Sequence, residues 1–344
     1  MLSVRFHEYG SVDVMRVEDV PVPAPSSDEV LIKVAACGVN RVDILSREGL
    51  TPTPVLLPHT PGTEAAGVIA DVGANVGCWS VGTRVVINPT LSCGRCTACR
   101  EGRDNVCRSG RVFGVQTIGA YAEYVTAPAD QVIALSDGVS FATAASIAVT
   151  GSTAWHMLMT RGQVCLGEDV LIVAAGSGIG VLGIQIAKLA GARIIATAGS
   201  KDKREKAREL GADVVIDHTE PDWGDQVRHA TDGKGADLIF EHVGEATWAQ
   251  SLRALARNGR LVTCGAHSGA KVTFDLWHLF VKEQKFIGSF AGTRRDLEKV
   301  LSLAAEGKLK PIIHEQFPMS EAAKAQAALE GRHVFGKLVM INAL

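Results

Sequence analysis

Four cysteines fall within one short stretch, Cys93, Cys96, Cys99 and Cys107, with the spacing C-x-x-C-x-x-C-x7-C. Four thiolates on one loop can fold round a single ion as a tetrahedral tetrathiolate zinc site. A closed four-sulfur shell leaves no open position for substrate, so its expected role is to hold a lobe together. Gly94 and the small residues between the ligands let the loop close, and Arg95, Arg100 and Arg103 offset part of the thiolate charge. The remaining cysteines, Cys37, Cys78, Cys165 and Cys264, are scattered, so clustering points to metal rather than cross-links. An iron–sulfur cluster and a redox-sensing thiol set are the alternatives for the same loop.

A second motif lies in DVLIVAAGSGIGVLGIQIAKLAGA, which reads as a strand, a glycine-rich turn and a helix. Gly176, Ser177, Gly178, Ile179 and Gly180 stand where a dinucleotide pyrophosphate meets backbone N–H groups and the positive end of a helix dipole. Two registers fit the glycine spacing, Gly178/Gly180/Gly183 and Ala175/Ser177/Gly180, and a plain tight turn is the bland reading. The following strand ends in RIIATAGSKDKREK. An acidic residue there would hold the ribose hydroxyls of NADH. Gly199 and Ser200 stand instead, with Lys201, Lys203 and Arg204 following, which favours NADPH over NADH; a solvated helix start is the alternative.

These motifs need elements to carry them. Short β-rich runs broken by Gly and Pro (VLIKVAACGV, AAGVIADVG, TRVVINP, YAEYVTAP) fill the first part of the chain. Beyond about Phe141, continuous apolar strands (DVLIVAA, RIIATAG, DVVID, DLIFEHV, RLVTCG) alternate with helical stretches, the pattern of a parallel sheet covered on both faces. The predicted organisation is an α/β chain: residues 1–140 and 286–344 form an irregular β domain with the cysteine lobe at 93–107, and residues 141–285 form a doubly wound parallel-sheet domain. The dispersed Trp155, Trp223, Trp248 and Trp277 read as packing residues, and His156 has no assigned role. Lys plus Arg number 35 and Asp plus Glu 37, mixed along the sequence, so no basic stripe invites nucleic acid or an anionic membrane. A small-molecule substrate is expected. MLSVRFHEYG lacks the features of a secretory leader, and no apolar run reaches membrane-spanning length, so a cytoplasmic protein is expected.

The cysteine loop, CGVNRVD (residues 37–43), PGTEAAGV (61–68), the 176–180 turn and RLVTCG (260–265) together resemble the medium-chain dehydrogenase/reductase family, over nearly the whole chain. The resemblance implies a GroES-like domain joined to a Rossmann domain, a nicotinamide cofactor and one structural zinc. In the family's zinc alcohol dehydrogenases a metal-binding cysteine stands where this chain has Asn40, and a histidine where it has Thr63. Glu64 survives, ASIAVTG (145–151) supplies no third ligand, and Val42 replaces the proton-relay hydroxyl. An open catalytic zinc needs about three protein ligands, so the resemblance implies a site without one, like the quinone and enoyl reductase branch.

Asn40, Asp43, His59, Thr63, Glu64 and Thr150 are the candidate active-site groups, with Asn40 and Thr63 as polar contacts to substrate. Asp43 also reads as a structural ion pair, Glu64 as a brace and His59 as a substitute metal ligand. Gly265, Ser289 and Phe290 resemble segments that approach the nicotinamide, while Cys264 also reads as core. The expected reaction is hydride transfer from NADPH to an activated C=C or a quinone or carbonyl group. A zinc-free or atypical alcohol dehydrogenase or ketone reductase, and a non-catalytic nucleotide-binding protein, are the alternatives. The family's habit of pairing through the dinucleotide sheet implies a homodimer or homotetramer, with KVTFDLWH and KFIGSF as edge segments.

Overall fold

Val30, Ile32 and Val34 along Glu29–Gly38 are fully buried, and this ten-residue strand is the centre of the first unit of a computed structural model that describes residues 1–342. It pairs antiparallel with Ala65–Val72, Tyr124–Pro128 and Lys337–Ile341. Ile313–Pro318 joins the last of these in parallel, and Arg84–Ile87 and Val132–Ala134 extend the other side to complete a seven-stranded sheet. Ile69, Val85, Ile87, Phe113, Tyr121, Leu338 and Met340 close the core around it. At about 25 cal/mol per Å² of apolar surface removed from water, such a core is the main stabilising contribution to this unit.

The second unit is the expected doubly wound sheet. Its six strands are all parallel and lie in the order Val214–Ile216, Arg193–Thr197, Asp169–Ile172, Ala236–Glu241, Leu255–Thr263 and Lys285–Gly288. The strand order reverses between Asp169–Ile172 and Ala236–Glu241, which opens a crevice at their carboxyl ends where open α/β sheets bind ligands. Leu171, Ile195, Ile239, Leu261, Trp223 and Trp248 are buried in its core. The helix Lys201–Glu209 ends before Gly211, whose φ of +108° lets the chain turn into the next strand. Trp277 differs from expectation: it is 69% exposed, on the short helix Leu276–Val281 rather than in the core.

The two units comprise Met1–Val149 with Gly292–Leu344, and Thr150–Ala291. Helix Phe141–Ile147 packs on strands Glu29–Gly38 and Ala65–Val72, so it belongs with the first unit, whereas Lys285–Gly288 is the edge strand of the second. The carboxy-terminal segment is fastened to the cysteine lobe by Arg294, whose backbone N–H donates to Asp104 Oδ2 at 2.9 Å. Its guanidinium donates to the carbonyls of Asp130 and Val132 at 2.7 and 3.0 Å. Among the described residues no helix is long and apolar enough to cross a membrane.

Candidate active site, cofactor turn and cysteine lobe

Sheet register assembles the active-site candidates. Val339 pairs with Gly38, so two positions further along the antiparallel ladder Lys337 faces Asn40; Cys37 pairs with Ala65, so Glu64 faces Gly38. Strand ends from three distant parts of the chain thus meet at one point. Lys337 Nζ lies 2.7 Å from Glu64 Oε2 and donates to Asn40 Oδ1 at 2.5 Å. Asn40 Nδ2 donates to Thr63 Oγ1 at 3.1 Å and Glu64 Oε2 at 3.0 Å, and Glu64 Oε1 accepts the Val149 N–H at 2.6 Å. Gly38 is needed for this arrangement: a Cβ there would stand 2.5 Å from Glu64 Oε2 and 2.9 Å from Lys337 Cε.

Asp43 anchors the other side. Its carboxylate accepts the backbone N–H of Asn40 at 2.8 Å and of Thr63 at 3.1 Å, and the Tyr121 hydroxyl at 3.3 Å. Burial pushes Asp43 up to about 6, against the opposing pull of these donors and of the Lys337 charge. Asn40, Asp43, Thr63 and Glu64 are therefore brought together. His59 is not part of this network: its Nε2 bonds the Gly114 carbonyl at 3.0 Å, its ring meets Phe6 edge-on at 5.4 Å, and burial lowers its pKa. Thr150 opens the helix Thr150–Trp155 of the second unit.

In the second unit the glycine-rich turn leads from Asp169–Ile172 into the twelve-residue helix Gly178–Leu189. Ser177 caps it, its Oγ accepting the Gly180 N–H at 3.0 Å and donating to the Ala174 carbonyl at 2.9 Å. A Cβ on Gly180 would stand 2.7 Å from the Ala174 carbonyl oxygen and 2.8 Å from Ala175 Cα, so this turn needs glycine there. Gly178 and Ile179 open the helix, where backbone N–H groups have no carbonyl acceptor within the helix and a helix start offers them to an anion. His242, just past strand Ala236–Glu241, braces the turn: its Nε2 lies 3.0 Å from the Val173 carbonyl and 3.3 Å from Ser177 Oγ. Burial lowers His242 to about 4, so it is neutral and donates from Nε2.

At the end of the next strand, Gly199 lies beside His218, whose Nδ1 is 3.1 Å from Thr197 Oγ1. Ser200 caps Lys201–Glu209 through the Lys203 N–H at 3.3 Å, and Arg204 pairs with Asp217. Gly265 backs onto the His242 carbonyl, where a Cβ would stand at 2.5 Å. Ser289 Oγ is buried without a partner, and Phe290 is exposed.

Cys93, Cys96, Cys99 and Cys107 present their sulfurs within 4.8 Å of one another. Sulfur–sulfur separations of 3.5 Å (Cys96–Cys99) and 3.9 Å (Cys96–Cys107) bracket the edge of a zinc tetrathiolate, about 3.8 Å for Zn–S bonds of about 2.3 Å. The donor set fits zinc.

Lys337, Gly38, Tyr121, His218 and His242 are the residues that the sequence reading passed over. Only the register of Lys337–Ile341 against Glu29–Gly38 brings Lys337 to Asn40.

Comparison with known proteins agrees with this anatomy. Residues 26–137 match the alcohol dehydrogenase GroES-like domain, and residues 178–306 match the zinc-binding dehydrogenase domain. An NAD-dependent alcohol dehydrogenase of Sulfurisphaera tokodaii is 33% identical, over 99% of this chain and all of that protein. Human quinone oxidoreductase is 30% identical, over 99% of this chain and 98% of its own length. A crystal structure of an NAD-dependent alcohol dehydrogenase superposes with a TM-score of 0.96 at 41% identity, covering both chains fully. The chain is an oxidoreductase that belongs to the medium-chain dehydrogenase/reductase family.

Proposed function

We propose that this protein reduces an activated C=C bond, as in an enone or enoyl thioester, or a quinone, with NADPH and without a catalytic zinc. The observation that carries this reading is the engagement of Glu64 by Lys337. Asn40 and Thr63 replace two metal ligands, and the one remaining carboxylate is neutralised by a side chain of the same unit. A reduced nicotinamide, when bound, supplies hydride. Gly176–Gly180 bind its pyrophosphate, Ser200 and Lys203, with His218 alongside, take the ribose phosphate, and Gly265, Ser289 and Phe290 border the nicotinamide. Asn40 and Thr63 border the substrate, Lys337 orients it, and conjugation within the substrate spreads the charge that hydride addition creates.

Metal analysis of purified protein combined with a substrate panel tests this. One zinc per chain, bound by the four cysteines, with NADPH-dependent turnover of enones or quinones is the expected result. Two zincs per chain with oxidation of simple alcohols by NAD would sink it. That second reading, an alcohol dehydrogenase, is favoured by the names of the relatives at 33 and 41% identity.

The assembly we propose is a homodimer formed through the free edge of Lys285–Gly288, the last strand of the six-stranded sheet. Leu276, Trp277, Phe280 and Val281, all more than half exposed, lie immediately before it. Light scattering on Trp277→Asp should show a shift from dimer to monomer.

A further inference from the structure

Asn40 and Thr63 are the residues that sequence comparison offers as contacts to substrate, yet their donors are already committed. Asn40 Nδ2 has two hydrogens, and both have acceptors within the network, Thr63 Oγ1 and Glu64 Oε2. The Thr63 hydroxyl bonds Asp43, as does that of Tyr121. Lys337 is different: its ammonium carries three hydrogens, and Glu64 and Asn40 engage two. Among the described residues no third acceptor lies within hydrogen-bond distance of it. Asp43, Thr63, Glu64 and Tyr121 are at most 1% exposed, whereas Asn40 and Lys337 keep 7% and 4% exposure.

We propose that Lys337 is a catalytic residue, placing its third N–H and its charge on the oxygen where negative charge builds during reduction. This rests on the hydride-transfer reading above. Addition of hydride to the β-carbon of an enone forms one C–H bond and breaks the C=C π bond. The displaced pair moves through the conjugated system onto oxygen, leaving an enolate. Both electrons arrive with the hydride, so the substrate is reduced and the nicotinamide oxidised. Lys337 donates a hydrogen bond to the enolate oxygen and keeps its proton. Water then protonates the α-carbon, so one proton is taken up from solvent per turnover. Glu64 holds the ammonium in place, and Asn40 Oδ1 fixes its direction; an oxyanion is stabilised by such a preorganised donor far more than a neutral carbonyl is.

The test uses Lys337→Arg and the double variant Lys337→Met/Glu64→Gln, which removes the ion pair without leaving a buried charge alone. Cinnamate, a conjugated carboxylate, serves as the oxyanion probe and is titrated calorimetrically into cofactor-free protein, so this readout needs no turnover. The double variant should keep its melting temperature and NADPH affinity, bind cinnamate at least about tenfold more weakly, and lose about 10²–10³-fold in kcat on enones with little change in KM. Lys337→Arg should restore part of both losses. Wild-type cinnamate affinity in the folded double variant, or a kcat within threefold of wild type, would overturn the proposal. If the wild type reduces no enone or quinone, the hydride-transfer reading fails, and the cinnamate titration still decides the role of Lys337.

Discussion

The cysteine lobe and the buried polar site answer one problem, negative charge gathered in a confined space, in opposite ways. In the lobe all four cysteines lie within residues 93–107 and their sulfurs come within 4.8 Å of one another, a set whose charge a bound cation would balance. In the polar site Glu64 is fully buried, and its cation is Lys337, delivered by the final strand of the chain. The first arrangement is expected to make stability depend on a metal. The second makes it depend on the return of residues 292–342 to the first unit.

Removing one ligand should therefore produce the largest effect. Cys99→Ser leaves three sulfurs, and because metal binding and folding of such a lobe are coupled, the variant should lose its zinc and several kcal/mol of stability. Metal analysis and thermal unfolding with and without chelator check this. A variant that keeps its zinc and melts normally would show that the lobe folds without the ion.

Next comes Lys337→Met alone, which leaves Glu64 as an uncompensated buried carboxylate; breaking one partner of a buried pair costs about 3–5 kcal/mol. Adding Glu64→Gln should recover most of that, since neutral isosteres of buried ion pairs are often neutral for stability. Denaturant unfolding of the single and double variants gives the coupling directly. Equal destabilisation in both would mean that the pair is not linked in the way its 2.7 Å separation implies.

These two regions also explain what was legible in the sequence. Cys93, Cys96, Cys99 and Cys107 announce themselves because their chemistry is local, and the glycine-rich turn does so because a strand and helix flank it. The α/β class followed from the period of the apolar runs. Lys337 was invisible: 297 positions separate it from Asn40, and nothing in GKLVMIN distinguishes a buried lysine from one at the start of an exposed strand. His59 was misleading for the converse reason. Proximity in sequence to Thr63 suggested a ligand, but an edge-on contact with Phe6 and a bond to Gly114 hold its ring elsewhere.

The pH dependence of the polar site should separate activity from stability. Burial raises Asp43 to about 6, so below that pH it takes a proton and weakens its hold on the Asn40 and Thr63 N–H groups. Catalysis should fall as pH drops through about 6, and Asp43→Asn should abolish that acid limb. Stability moves the other way. The folded-state pKa lies above the unfolded value, so the folded form binds the extra proton, and this group's contribution to stability increases as pH falls from about 6 towards 4. Parallel pH profiles of kcat/KM and of melting temperature check both signs; an acid limb that persists in Asp43→Asn belongs to another group.

The smallest expected effect is at the cofactor turn, which combines the two cases. The N–H groups proposed to bind phosphate come from consecutive residues, as in the lobe, while one brace, His242, lies just past a strand and 65 positions from Ser177, as in the polar site. Because the local segment already sets the backbone and Ser177 caps the helix independently, His242→Phe should loosen the turn without dismantling it. A net hydrogen bond is worth about 1 kcal/mol, which corresponds to roughly a five- to tenfold weaker NADPH Kd by fluorescence titration. Since burial keeps His242 neutral down to about pH 4, that loss should be constant from pH 6 to 8. A loss that varied across this range would mean that the ring carries charge in the turn, and that the brace is electrostatic rather than a neutral hydrogen bond.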